Sequence, residues 1–284
     1  MSTLTVARKD FQDGIRSWLL LGLTAVFVVF AAGAAYIYIA IGSIGGGGGG
    51  AVSSLSIIDF LSGLTAFFIP LIGVIVGYKA IVAERESGSI ALLLSLPHTR
   101  RDVVLGKVLG RTGVVFVSAV VGFLIAAGVV VVLAGSLSVV NYALFVLATL
   151  LLALAFVALA VSFSAATKSS TLSLAGAGVI TVLFIFSVWG LIPVLVRFVL
   201  NEYTPLSLDM SVQPEWAQFF VQLDPTTAYS NVLGVLIPDL ASGSLASGGS
   251  VPFYLAPSFG FVTLAAWIII PLVLGYYRFN TTDL

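Results

Sequence analysis

Charged side chains are rare in this chain, and one short stretch holds an unusual share of them. The 284 residues include 12 basic and 12 acidic side chains. Eight of them lie in the stretch KAIVAERESGSIALLLSLPHTRRDVVLGK: Lys79, Glu84, Arg85, Glu86, Arg100, Arg101, Asp102 and Lys107. In a protein-binding surface, apolar side chains supply contact area and the charges around them fix orientation. The stretch therefore allows two interpretations, packing within its own chain and recognition of a partner.

Reactive side chains are nearly absent elsewhere. The chain has no cysteine, two methionines and a single histidine, His98. This excludes disulfides, thiolate metal sites and cysteine nucleophiles, and it disfavours histidine metal clusters and a Ser-His-Asp triad. Gly106-Lys107 is followed by Val108 and lacks the earlier glycine of a phosphate-binding loop. We therefore expect no catalytic, cofactor-binding or metal-binding residue in this chain.

The remainder of the chain has the composition of a membrane protein. Hydrophobic residues make up 60% and charged residues 8%, whereas soluble domains carry roughly 25% charged residues. A membrane-crossing helix needs about 20 apolar residues. Six such stretches occur, approximately at 18–41, 60–78, 103–133, 142–163, 172–196 and 258–277. The predicted fold is all-α: a single polytopic membrane domain, 1–284, with six transmembrane helices.

Basic residues predict the orientation of these spans, because lysine and arginine are retained on the cytoplasmic side. With an inward N-terminus, six spans place eleven of the 12 basic residues inside, all except Arg197. The net charge is zero, which gives no indication of a nucleic-acid partner. We expect a multi-pass protein of the cell membrane, in contact with lipid, with both termini in the cytoplasm.

Two further segments have patterns of their own. Residues 1–17 predict an amphipathic helix on the inner membrane surface. Its apolar stripe is Leu4, Ala7, Phe11, Ile15 and Trp18, and the opposite polar face is Lys9, Asp10, Asp13 and Arg16. The long outer segment 199–257 contains PEWAQFFVQLDPTTAYSNVLGVLIP, which predicts short interfacial or re-entrant helices.

The inner loop between spans two and three, residues 79–102, is called the charged loop below. Acidic Glu84 and Glu86 precede a short apolar helix that Pro97 ends. Thr99 and Asp102 then resemble a capping box at the start of the third span. The apolar helix packs either within its own chain or against a partner, and the residues alone leave both alternatives open.

The sequence from 83 to 111 resembles the signature region of ABC exporter permeases of the type-two group. In the sequence AERESGSIALLLSLPHTRRDVVLGKVLGR, the signature elements of that group occur in their usual order. They are Glu-Arg, Gly-Ser, Leu-Leu, Leu-Pro, a single Arg and Gly-Lys. The N-terminal ARKDFQDGIRS is similar to the leader helix of that group, and the final RFNTTDL is similar to its usual ending. Together with the six-span layout, the resemblance covers the whole chain.

The resemblance implies a permease subunit of an exporter whose loop helix, about 86–96, docks on a separate ATP-binding subunit. ATP and magnesium would bind to that subunit, and a second permease, identical or homologous, would complete the transporter. The residues expected to contact the ATP-binding subunit are Glu84, Arg85, Glu86, Gly88, Ser89, Leu92, Leu93, Pro97, Arg100, Arg101 and Lys107. ATP-driven closure would reach the second and third spans through the loop helix.

Alternatives stay open within and beyond this group. Permeases that support copper-site assembly of nitrous oxide reductase, drug exporters and lipid exporters are all compatible with these residues. A membrane scaffold or sensor that recruits a soluble partner without transport is the alternative of a different class. An ATP-binding protein encoded beside this gene favours transport, and its absence favours the scaffold.

Overall fold

A computed structural model describes residues 3–44, 53–89, 99–203, 213–241 and 252–281. These residues form α-helices joined by short turns, and none of them lies in a β-strand. The prediction of an all-α fold is therefore confirmed.

The helices follow one another as α1 to α11 in chain order. Their bounds are α1 Thr3–Arg16, α2 Trp18–Ile44, α3 Ser54–Gly77, α4 Val82–Glu86, α5 Arg100–Ala134, α6 Val139–Ala166, α7 Ser170–Ile185, α8 Val188–Tyr203, α9 Glu215–Gln222, α10 Pro225–Leu236 and α11 Phe259–Thr281. Two single 3-10 turns, Pro238–Leu240 and Phe253–Leu255, lie between α10 and α11.

Five of these segments are long and apolar enough to cross a membrane: α2, α3 with α4, α5, α6 and α11. Helices α7 and α8, which meet at an angle of 78°, make a sixth when the bent pair is counted as one span. At this break Ser187 has a φ of 53°, in the left-handed region that non-glycine residues rarely occupy. The sequence treats 172–196 as one span, and the structure divides it in two.

Helix α6 is the central helix of the bundle, and it contacts α3, α5, α7, α10 and α11. Helix α3 packs closely against it, because two glycines allow the two backbones to approach. A Cβ atom on Gly73 would lie 2.7 Å from Phe156 Cβ, and one on Gly77 would lie 2.6 Å from Ala160 Cβ. Small residues permit such contact between membrane helices, where van der Waals packing supplies the attraction.

The start of α5 confirms the predicted capping box. Thr99 Oγ1 accepts a hydrogen bond from the Asp102 backbone N–H at 3.1 Å, and Asp102 Oδ2 accepts one from the Thr99 backbone N–H at 3.2 Å. These bonds satisfy donors that the first turn of a helix leaves free. The charged loop therefore ends at a firmly defined helix start.

Candidate functional site

The charged loop lies at one end of the bundle, where several helices begin or end. Arg85 contacts the last turn of α6: its Nη1 donates to the Thr167 carbonyl at 2.6 Å and its Nη2 to the Ala165 carbonyl at 3.4 Å. Carbonyls in the last turn of a helix have no partner within the helix, and a cation there is favourable to the helix dipole. Arg85 therefore caps the C-terminal end of α6.

The next residue, Glu86, contacts the start of α7. Its Oε1 accepts hydrogen bonds from the Ser170 backbone N–H at 2.7 Å and from Ser170 Oγ at 3.0 Å. A carboxylate at a helix N-terminus accepts from backbone donors that are otherwise unused, and it is favourable to the dipole. Two consecutive side chains of the charged loop thus hold the end of one span and the start of the next.

Arg100 contacts the end of the last span. Its Nη1 donates to the Phe279 carbonyl and, at 3.1 Å, to the Asn280 carbonyl. The Phe279 ring is fully buried between two guanidinium groups, with Arg85 Cζ 5.2 Å and Arg100 Cζ 5.4 Å from its centroid. Both cations lie within the range of cation–π attraction. The C-terminal end of α11 is therefore fixed to the charged loop.

Four charged residues form an ion-pair cluster that joins α1, α4 and α5: Asp10, Glu84, Lys107 and Arg111. Lys107 Nζ lies 2.9 Å from Asp10 Oδ1 and 2.5 Å from Glu84 Oε1. Arg111 Nε lies 3.1 Å from Asp10 Oδ2, which is an ion pair by distance without hydrogen-bond geometry. The Lys107 and Asp10 side chains are 9% and 3% exposed. This cluster is therefore largely withdrawn from water.

Helix α1 has a third face that the sequence pattern did not reveal. The pattern placed Asp10 with the polar face, and this placement is wrong, because Asp10 is buried against α5. The apolar residues Leu4 and Trp18 are exposed, at 71% and 87%. The helix itself is confirmed, and its contact with the membrane through these residues stays a prediction.

The remaining predicted contact residues divide into two groups. Gly88, Ser89 and Arg101 of the charged loop are exposed to solvent, and Gly88 has a φ of 74°. The others, Leu92, Leu93 and Pro97, lie outside the described residues, as does most of the predicted loop helix. Contact of all eleven residues with an ATP-binding subunit stays a prediction.

Internal contacts account for five of those eleven side chains. Glu84, Arg85, Glu86, Arg100 and Lys107 each bind another part of this chain. Their partners Asp10, Thr167, Ser170 and Phe279 were not among the predicted site residues, and neither was Arg111, which pairs with Asp10. Only Asp10 had a recognisable signal, since an acid with Ala7 and Gly14 at helical spacing around it indicates a closely packed face.

At the opposite end of the bundle, helices α9 and α10 form the outer hairpin, 215–236. Trp267 Nε1 donates to the Leu223 carbonyl at 2.7 Å, and Trp189 Nε1 donates to the Phe220 carbonyl at 2.9 Å. Trp189 and Phe220 also stack, with ring centroids 4.4 Å apart and planes 8° apart. Trp267 lies eight residues into α11, about 12 Å along it. The turn of the hairpin therefore packs against α8 and α11, and the interfacial or re-entrant placement of these helices in the membrane stays a prediction.

The turn of the outer hairpin contains a buried acid, Asp224, which is 5% exposed. Its Oδ1 caps α10 by accepting from the Thr226 N–H at 2.7 Å, the Thr226 hydroxyl at 2.7 Å and the Thr227 N–H at 3.3 Å. Burial raises the pKa of the Asp224 carboxyl, and these hydrogen bonds oppose that rise. In α10, Tyr229 is fully buried and its hydroxyl lies 3.1 Å from Thr149 Oγ1 of α6.

Metal chemistry receives no support from this arrangement. Among the residues that the structure describes, no group of three or more His, Cys, Asp or Glu side chains could hold a metal ion. The contacts at both ends of the bundle instead hold helices relative to one another.

Comparison with known proteins identifies the family. The family model described as ABC-2 family transporter protein matches residues 4–284. A probable ABC transporter permease protein NosY of Stutzerimonas stutzeri is 31% identical, across 97% of this chain and 96% of the relative. A probable NosY permease of Pseudomonas aeruginosa is 34% identical over 120 residues, 42% of each chain. The chain therefore belongs to the ABC-2 transporter family, as one of its multi-pass membrane permeases.

Proposed function

We propose that this chain is the membrane subunit of an ATP-driven exporter, and that it receives force at the charged loop from a separate ATP-binding subunit. ATP and magnesium bind to that subunit. Two permeases, identical or homologous, surround the substrate route, and substrate leaves the cell along the interface between them.

The observation that carries this proposal is the set of contacts made by the charged loop. Arg85, Glu86 and Arg100 each hold a helix terminus, at the end of α6, the start of α7 and the end of α11. Glu84 reaches α5 through Lys107. A displacement of this loop therefore acts on α5, α6, α7 and α11, which belong to spans three to six. The resemblance alone had implied an effect on spans two and three.

The distribution of charge supports the proposed orientation. Helix α1, the charged loop, the α6–α7 turn and the end of α11 meet at one end of the bundle. Basic residues are retained on the cytoplasmic side of a membrane, and all of those in the chain except Arg197 belong to these segments or to the first turns of α5. We place this end in the cytoplasm, where an ATP-binding subunit has access to Gly88, Ser89 and Arg101.

The test co-expresses the permease with an ABC ATP-binding protein encoded beside its gene, and the absence of any such gene would favour the scaffold. Deletion of Ser87–Ser95 is expected to abolish co-purification of the ATP-binding protein while membrane insertion persists. Deletion of Ser242–Ser250 removes nine residues from the outer segment and serves as a control of equal length. This control is expected to co-purify as the unaltered chain does.

ATPase activity separates the two functional classes. If the unaltered permease binds the ATP-binding protein and raises its ATPase activity in lipid vesicles, coupled transport is supported. Association without any change in ATPase activity would favour the scaffold. An unaltered permease that fails to bind would contradict the proposal.

A further inference from the structure

The ion-pair cluster has a feature that a simple surface salt bridge lacks: one buried cation is shared by carboxylates of two different helices. Lys107 of α5 pairs with Asp10 of α1 and with Glu84 of α4. Removing the partner of a buried charge is costly, because the charge that remains has lost both water and its counter-ion. Lys107 therefore holds α1 and α4 in a fixed relation to each other as well as to α5.

Contacts along the length of α1 show that it lies in register with α5. Near its start, Thr3 Oγ1 donates to Asp102 Oδ1 at 2.6 Å. A Cβ atom on Gly106 would lie 2.6 Å from Val6 Cβ, and one on Gly110 would lie 2.9 Å from the Ala7 carbonyl oxygen. These contacts advance together along both helices, so α1 and the first turns of α5 run side by side in the same direction.

We infer that Lys107 is a positioning residue that makes α1, α4 and the first turns of α5 move as one body when the ATP-binding subunit displaces the charged loop. This inference rests on the proposed function. The close glycine contacts resist sliding of α1 over α5, because neighbouring atoms would collide. The two ion pairs of Lys107 resist separation of α4 from that pair.

An engineered disulfide tests the docking of α1 on the permease alone. A Cβ atom on Gly14 would lie 3.7 Å from Val114 Cβ, within the range that a disulfide requires. The chain has no cysteine of its own, so Gly14→Cys with Val114→Cys forms one defined bond. We expect rapid oxidation in membranes, and oxidation about tenfold slower when Lys107→Met is added.

Lys9→Met is the matched control, because Lys9 is an exposed cation of α1, the helix that Lys107 contacts from α5. It is expected to leave the oxidation rate unchanged. If Lys107→Met prevents folding, the neutral variant Asp10→Asn, Glu84→Gln, Lys107→Met removes the buried unpaired charges and is measured in its place. Equal oxidation rates in the Lys107 and Lys9 variants would overturn the inference.

Coupling is measured in the complex of the permease with the ATP-binding protein. The measured quantity is the stimulation, which is the ATPase activity of the complex minus that of the ATP-binding protein alone. The disulfide-linked permease is expected to retain this stimulation. A disulfide between α1 and α5 restricts no necessary motion if the two helices already move together. Lys107→Met is expected to lose most of the stimulation even at concentrations of the ATP-binding protein that saturate the complex. Loss of stimulation on oxidation, restored on reduction, would show that α1 leaves α5 and would overturn the inference.

Failure of the proposed function gives a different result. If the unaltered permease does not bind the ATP-binding protein, the proposed function fails, whereas the oxidation rates still report whether Lys107 holds α1 to α5.

Discussion

The charged loop and the outer hairpin lie at opposite ends of the same bundle and are held by different chemistry. At the inner end, guanidinium, ammonium and carboxylate groups bind helix termini and one another. At the outer end, two indole N–H groups and stacked rings bind the turn of the hairpin. Ionic contacts are partly screened by salt, whereas aromatic packing and neutral hydrogen bonds are less affected. The end of the bundle at the charged loop is therefore held mainly by ionic contacts, and the end at the hairpin is held mainly by close aromatic packing.

The largest effect is expected from a steric clash between α5 and α1 at the ion-pair cluster. Gly110→Leu places side-chain atoms where Asp10 Cβ lies, because even a Cβ at this position would be 2.8 Å from that atom. Overpacking of this kind costs about 1–3 kcal/mol or more. We expect a lower unfolding temperature in detergent and loss of the ion-pair cluster. Gly128→Leu on the same helix is the control, since a Cβ there meets no atom within 4 Å, and equal destabilisation by both would contradict the assignment.

A smaller effect is expected at the outer hairpin from Trp267→Phe. This change keeps an aromatic ring but removes the N–H that binds the Leu223 carbonyl. Leaving a partly buried carbonyl without its donor costs about 1–2 kcal/mol. Hydrogen exchange of the α9 and α10 amides should accelerate, while exchange around the charged loop should not change. Equal acceleration at both ends would show that the two regions are not independent.

The smallest effect is a dependence on pH at the outer hairpin, through Asp224. Its pKa in the folded protein is raised above the ordinary value of 3.8, so the folded state favours the protonated carboxyl. The resulting stabilisation is complete below 3.8 and is lost as the pH rises through the raised value. The protection factor of the α10 amides, which is the exchange rate of an unstructured peptide at the same pH divided by the observed rate, should therefore rise on acidification. Asp224→Asn should remove this dependence, and a persistent slope in that variant would assign it to another group.

The apolar spans and the position of the charged loop follow from the sequence, because both depend on residue type. The partners of the charged residues do not. Arg85 and Arg100 donate to backbone carbonyls, and every residue has such a carbonyl, so no pattern marks Thr167 or Phe279 as a partner. Only the fold brings residues about 80 and 180 positions away to the charged loop.

The break in the fifth span is hidden from sequence for another reason. Glycine and proline are the usual signals for a helix interruption, but Phe186 and Ser187 stand at the break and Pro193 lies within α8. Trp189, two residues after Ser187, donates to the Phe220 carbonyl of the hairpin, a contact that only the folded chain brings together. The apolar run alone therefore predicts one continuous span.

The burial of Phe279 between Arg85 and Arg100 has a consequence for biosynthesis. Translation proceeds from the N-terminus, so both arginines are made and placed beside the membrane long before residue 279 leaves the ribosome. Until then, the charged loop lacks the ring and the carbonyls that these two guanidinium groups bind. The contacts of the charged loop are therefore completed only by the last span, and a chain truncated before α11 lacks them.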